Sequence, residues 1–218
     1  MSSKSIKWNL AQAAEVRWWQ KYLSKKNVPE YLEWKKKYWL LLLDSISDVV
    51  QVKPGMKVLD AGCGPAGVFM VTAECKTDAI DPLIDEYDRK LKHFEKSKYP
   101  SVRFYASALE DFTPNKNYDV IFCMNAINHV SNLKKSMDNL VACTKPGGKI
   151  VLSIDAHNFS FFKYLFRMIP GDILHPHQYD EMEYEAKLNS RNCTIIKKIR
   201  LKKRFFFDHL LMVGVKGV

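Results

Sequence analysis

The stretch Val58–Gly67 reads VLDAGCGPAG: a short apolar run, an acidic residue, then three glycines at Gly62, Gly64 and Gly67. Glycine has no Cβ, so a loop of this kind lets main chain approach a ligand closely. The apolar run predicts a strand, and Ala66–Cys75 beyond the loop predicts a helix. A strand, a glycine loop and a helix in that order are the context of a nucleoside-binding fingerprint. The next strand-like run ends in AIDP, which places Asp81 and Pro82 about 20 residues beyond Gly62. A carboxylate at that point can accept hydrogen bonds from both hydroxyls of a ribose.

Working outward, the same rhythm continues. MKVLDA, TDAIDP, SVRFYAS and YDVIFCMNA read as strands, with helical patterns over Leu83–Lys96 and Leu133–Cys143 between and after them. KPGG leads into a further strand, KIVLSIDA. Alternation of this kind predicts an α/β architecture, a mostly parallel sheet wrapped by helices. Two strand-like runs, TIIKKIRLKK and RFFFDHLLMVGV, close the chain with little between them, which predicts an antiparallel strand at the edge. Before Lys53 the pattern is helical, over Ala11–Leu23 and Glu30–Val50. The expected organisation is a helical cap over residues 1–52 and a main domain over 53–218. An insertion at about 157–190 carries a short aromatic helix, Phe159–Pro170, and a second helix over Gln178–Arg191.

Composition is that of one globular domain. The chain has 218 residues, 47% hydrophobic and 27% charged. Its longest strongly apolar run, Tyr38–Leu43, is far short of the roughly 20 residues a membrane span requires. The opening MSSKSIKWNL lacks the apolar core of a signal peptide, so the expected location is the cytoplasm. The five cysteines form no C-x-x-C pair and read as reduced, buried thiols. A net charge of +10, concentrated in Lys35–Lys37 and Lys197–Arg204, reads as solvated faces. No nucleic-acid module accompanies it, and no specific nucleic-acid partner is expected. The aromatic, basic FFKYLFRM is a pattern that can rest weakly on an anionic membrane surface.

The glycine loop and Asp81 suit a nicotinamide dinucleotide and S-adenosylmethionine equally. Three features favour the second. Asp60 precedes the glycines, where a carboxylate would repel a pyrophosphate but suits an ammonium and a sulfonium. The chain offers no second domain for hydride chemistry. Its paired-strand ending is unlike a dehydrogenase.

At this point the sequence resembles the class I S-adenosylmethionine-dependent methyltransferases, over roughly Lys53–Val215. VLDAGCGPAG and AIDP are similar to the family's first two motifs, ASALEDF to the segment lying against adenine, and NYDVIFCMNAINHV to the fourth strand and the segment after it. TKPGGKIVLS resembles its turn and fifth strand. The resemblance implies a Rossmann-like seven-stranded sheet with one antiparallel edge strand and helices on both faces. It implies that the main chain of Asp60, Ala61, Gly62, Cys63 and Gly64 holds the methionine end of the cofactor, with Asp81 and Pro82 at the ribose. Ser107, Ala108 and Leu109 would meet adenine; Ser107 is a departure, because many relatives carry Asp there. Asn125 would line the junction between cofactor and acceptor.

Methyl transfer is an in-line displacement, so the protein mainly positions the acceptor and excludes water. A hydroxyl or charged-amine acceptor also has to lose a proton, for which histidine is suited. His129 in NAINHV and His175 in DILHPHQYDEMEY are the candidate bases. His177 and Tyr179 of the same run, with Trp18 and Trp19 of the first helix, are the candidate acceptor contacts. Each histidine also has a structural reading, as a loop cap or a donor to backbone, and core packing accounts for most of the aromatics. No clustered carboxylate or cysteine accompanies the histidines, so no metal is expected. The expected function is methyl transfer to oxygen or nitrogen of a small, fairly hydrophobic acceptor. The alternatives are a methyltransferase acting on RNA or protein and a non-catalytic module that binds S-adenosylmethionine.

Overall fold

Among the residues that the computed structural model describes (6–113, 117–157, 179–203 and 207–218), seven strands occur. In chain order they are β1 (Lys57–Ala61), β2 (Lys76–Ile80), β3 (Val102–Tyr105), β4 (Tyr118–Met124), β5 (Thr144–His157), β6 (Cys193–Lys202) and β7 (Phe207–Lys216). They form one sheet in the order β3-β2-β1-β4-β5-β7-β6. The first five run parallel. β7 is antiparallel to both neighbours and lies between β5 and β6, so the outermost strand on that side is β6. The chain builds outward from β1 to β3, then returns to place β4 on the other flank of β1. The crevice at such a reversal, beyond the carboxyl ends of β1 and β4, is where open α/β sheets bind ligands.

Strand composition follows position. β1 and β2 are covered on both faces and are buried at every residue after the first. β6 alternates buried or half-buried with exposed positions, as a strand with one covered face does. Two apolar clusters lie on opposite faces of the sheet. One contains Val58, Phe69, Tyr87, Phe122, Val151, Leu211 and Val213. The other contains Leu59, Ile121, Met137, Leu140, Leu152 and Tyr184.

The helices are α1 (Ile6–Leu23), α2 (Val28–Ser45), α3 (Ile84–Lys90), α4 (Leu133–Cys143) and α5 (Glu181–Asn189). α4 buries Leu133, Ser136, Met137, Leu140 and Val141, one stripe at three- and four-residue spacing, and Asn132 caps its start by accepting from the Lys135 amide at 3.0 Å. α5 begins with a capping box between Asp180 and Glu183. α2 starts after Asn27, whose side chain accepts from the Glu30 amide at 3.2 Å, with Pro29 in its first turn.

Packing does not stop at residue 52. Leu23, Tyr31, Trp39, Leu42 and Ile46 belong to the same cluster as β1 and β4. Trp39 Nε1 donates to the Ala66 carbonyl at 2.9 Å, and Lys197 of β6 donates to the Ser45 carbonyl and the Asp48 carboxylate at 2.8 and 2.6 Å. α2 therefore runs from the glycine loop to the outermost strand.

One expected helix is absent. Residues between β1 and β2 form two 3-10 turns, Gly64–Ala66 and Val68–Val71, in place of a helix over Ala66–Cys75. Gly67, between the turns, is extended, and a Cβ there would overlap the Asp60 carboxylate and the Cys63 carbonyl. Val68, Val71 and Thr72 are β-branched and add little helix propensity. The expected helix over Phe159–Pro170, with His175 and His177, lies outside the described residues. All five cysteines are buried free thiols. No helix among the described residues is long and apolar enough to cross a membrane.

Candidate functional site

A cavity of about 660 Å³ opens at the sheet reversal, within the size range of small-molecule sites. One end is built on the glycine loop. The amides of Gly62 and Cys63 both donate to the Ile80 carbonyl, at 2.8 and 3.0 Å, which ties the loop to the end of β2. Gly62 has φ +71°, and any Cβ would overlap the Ala126 methyl in the turn after β4. The loop and that turn are thus packed too closely for a side chain at position 62.

Asp81 lies beside this loop. Its two carboxylate oxygens accept from the Gly64 amide at 3.0 Å and the Leu83 amide at 2.8 Å. Burial raises its pKa to about 7, helped by the negative charge of Glu15 and opposed by the two amides. Glu15 also lines the cavity and accepts from the Tyr87 hydroxyl at 2.9 Å. Pro82, Ser107, Ala108 and Leu109 continue the wall. The Ser107 hydroxyl donates to the Ala108 carbonyl at 3.1 Å, which leaves its oxygen able to accept. Next along, buried Glu110 is held by the Ser131 amide at 3.1 Å and by the Ser131 hydroxyl, fixing this segment against the start of α4.

Asp60 and Ala61 do not reach the wall. The Asp60 carboxylate lies beneath the loop, where it accepts from the Phe69 amide at 3.0 Å. Burial raises its pKa to about 7, offset by the Phe69 and Val68 amides and by Lys35. Its role in this geometry is to hold the 3-10 turns in place. Its carboxylate thus acts on backbone amides of the turns that follow the loop.

The cation near the loop comes from elsewhere. Lys35 of α2 lines the cavity, its ammonium 5.0 Å from the ring centres of both Tyr38 and Trp39 and 5.6 Å from that of Trp34. Burial lowers its pKa to about 8, with Asp60 acting in the opposite direction. Lys36 and Lys37 are exposed, so only two of the three lysines in that run form a solvated face. A signal for Lys35 existed: it occupies the helical spacing set by Tyr31, Trp39 and Leu42, which are buried. Trp18 and Trp19 also line the cavity, with Trp19 3.9 Å from where a Gly64 Cβ would stand, at the loop end.

The other end is built from side chains. Asn125 follows β4 with φ +54°, and its amide donates to the Ser153 hydroxyl at 2.7 Å. His129, half-buried, lines the wall from the 3-10 turn Ile127–His129. On the neighbouring strands Asp155 and His209 are direct cross-strand partners, with His209 Nδ1 2.9 Å from Asp155 Oδ1. Lys202, opposite His209 on β6, completes this side. None of these last three was singled out from the sequence, because their proximity depends on β7 inserting between β5 and β6. Tyr179 is away from the wall, packed on Tyr184 with its ring 4.1 Å from the Lys187 ammonium.

Comparison with known proteins bears on the family and the fold. A family profile described as a methyltransferase domain matches residues 31–205. A ubiquinone biosynthesis O-methyltransferase of Coxiella burnetii is 26% identical over 168 residues, covering 69% of this chain and 71% of that protein. One of the same name from Rickettsia bellii (strain OSU 85-389) is 32% identical over 101 residues, 45% of this chain and 41% of the relative. The chain thus spans from about two fifths to seven tenths of these relatives. Among solved structures, a Burkholderia thailandensis 1,6-didemethyltoxoflavin-N1-methyltransferase, with its namesake compound and S-adenosylhomocysteine bound, shares the fold. It has a TM-score of 0.62 at 14% identity, over 100% of this chain and 93% of that one. The chain belongs to the methyltransferase domain family.

Proposed function

We propose that this protein transfers a methyl group from S-adenosylmethionine to a hydroxyl oxygen of a small, fairly hydrophobic aromatic acceptor. The observation that carries the reading is that a nucleoside-type loop with its acid and a cluster of ionisable side chains share one cavity. The names of the Coxiella and Rickettsia relatives favour oxygen as the methylated atom.

The residues present fit the donor. Asp81 keeps lone pairs for two ribose hydroxyls, and Ala108 and Leu109 give an apolar seat for adenine beside Ser107. Lys35 matches a carboxylate. Gln12, on the same wall, has a buried Oε1 with no hydrogen bond among the described residues, which suits an ammonium. The faces of Trp19 and Tyr38 suit a cationic sulfur. When bound, S-adenosylmethionine supplies an electrophilic methyl group on positive sulfur. The chain's part is to hold the acceptor oxygen in line with that methyl, to keep water out beneath α1 and α2, and to take the hydroxyl proton at the far end.

The test uses methyl-labelled S-adenosylmethionine with 4-propylcatechol, 4-propylphenol and 4-propylaniline. Label on a hydroxyl oxygen is expected, together with saturable binding of S-adenosylhomocysteine by calorimetry. Label confined to the amine would overturn oxygen as the acceptor atom, and cofactor binding with no transfer to any of the three would overturn the acceptor class.

A further inference from the structure

The polar pair on β5 and β7 stands out from the sheet face that carries it. Further in, that face is apolar where Val151 opposes Val213, and the buried Ser153, opposite Leu211, accepts from the Asn125 amide. The next opposed pair is Asp155 and His209, with side-chain exposures of 26% and 20%, at the point where the face meets the cavity. Two ionisable groups directly opposite on paired strands, half-removed from water and hydrogen-bonded, form a preset orientation rather than a chance surface contact.

We infer that His209, oriented by Asp155, is the base that removes the acceptor's hydroxyl proton; this rests on the oxygen-transfer reading above. With a carboxylate at Nδ1, the neutral imidazole keeps its hydrogen on Nδ1, which leaves Nε2 as the basic nitrogen. In the transfer, the O–H proton passes to Nε2 as the oxygen forms its bond to the methyl carbon. The carbon–sulfur bond breaks with its electron pair remaining on sulfur. The imidazolium charge is balanced by Asp155 and the proton later leaves to solvent. The carbonyl of Asp155 accepts from the Asn128 side chain at 3.1 Å, which fixes the strand end beside the turn that carries His129.

Position supports the assignment. Across the sheet the order is Asp81 after β2, the glycine loop after β1, Asn125 after β4, then Asp155 on β5 and His209 on β7. Strands lie about 4.8 Å apart, so His209 stands roughly 10 Å of sheet beyond β4, on the side away from the nucleoside end. The charged and titratable groups around it are Asp155, Lys202 opposite on β6 and His129 on the wall of the same cavity, with Asp208 and its partner Arg200 on the reverse face. Lys202 adds a positive charge beside an oxygen that becomes negative as its proton leaves.

Two catechols of different acidity test the assignment: 4-propylcatechol, un-ionised at neutral pH, and 4-nitrocatechol, largely ionised there. His209→Ala is expected to slow kcat on the propyl compound by about 10²–10⁴-fold but on the nitro compound by less than about 10-fold. Added imidazole should restore part of the first rate, and S-adenosylhomocysteine affinity should stay within about twofold. His209→Gln, which can keep a hydrogen bond to Asp155, should show the same selectivity and guards against a folding defect. Asp155→Asn, a change at a positioning residue, should move the pH profile of kcat on the propyl compound. Equal losses on both catechols would make the pair structural and overturn the inference. So would selective loss in His129→Ala instead. Failure of the unaltered protein to methylate either catechol while binding S-adenosylhomocysteine would overturn the oxygen-transfer reading, and this one with it.

Discussion

The two ends of the cavity are made of different material. The loop end is founded on main chain, with amides of Gly62, Cys63, Gly64 and Leu83 held by carbonyls and by Asp81 and with Gly62 and Gly67 where a Cβ has no room, and the side chains of α1 and α2 cover it. The far end consists of side chains from four separate elements: Asn125 and His129 after β4, Asp155 on β5, Lys202 on β6 and His209 on β7. A backbone site depends on local sequence and tolerates little change. A side-chain site can be rebuilt one residue at a time without disturbing the sheet, which is how one fold serves many acceptors.

The strongest way to break this contrast is at Gly62. Gly62→Ala places a methyl group against Ala126 in a left-handed conformation that costs about 1–2 kcal/mol even without the overlap. Affinity for S-adenosylhomocysteine by calorimetry is expected to fall about 100-fold or more, with a lower melting temperature. Adding Ala126→Gly should recover much of the loss, a coupling of about 1–3 kcal/mol. Additive effects would show that the two segments do not limit each other.

A smaller effect is expected at Asp81. Asp81→Asn turns an NH₂ group toward one of two amide donors and removes one acceptor from the cavity. Affinity should drop about 10–100-fold, corresponding to about 1.4–2.8 kcal/mol. An unchanged affinity would remove Asp81 from the binding surface.

The mildest test is pH. As pH falls through about 7, Asp81 takes up a proton and loses its acceptor strength; as it rises through about 8, Lys35 loses its charge. S-adenosylhomocysteine affinity should therefore peak between these values and fall severalfold per unit beyond them. Lys35→Met should abolish the alkaline limb and keep the acid one. The sign for stability is opposite to that for binding. Because the pKa of Lys35 is lowered on folding, the unfolded chain holds more protons between about 8 and 10.5, and stability declines as pH drops across that window. The methionine variant without ligand should thus melt higher at pH 7.

The same division explains what the sequence disclosed. The strands and their parallel order, α4 to its last residue, and the loop with Asp81 all rest on local patterns of glycine, acid and apolar spacing. The helix expected after the loop failed because Asp60 and Gly67 are packed against each other, a contact between residues seven apart that no helical period reveals. Lys35 was hidden in a run of three lysines although its spacing marked it as facing inward. The Asp155–His209 pair required knowing that β7 lies beside β5, a topological fact carried by neither strand alone. The placement of β7 one strand in from the edge has the same origin.

The aromatic seat of Lys35 has a further consequence, for protons rather than for shape. Near pH 8 the free protein holds this amine only partly protonated, and an anion beside it would draw a proton from solvent. Near pH 7 Asp81, serving as an acceptor, would release one. Binding is thus an exchange of protons with the buffer, so the heat of association carries the buffer's own ionisation enthalpy.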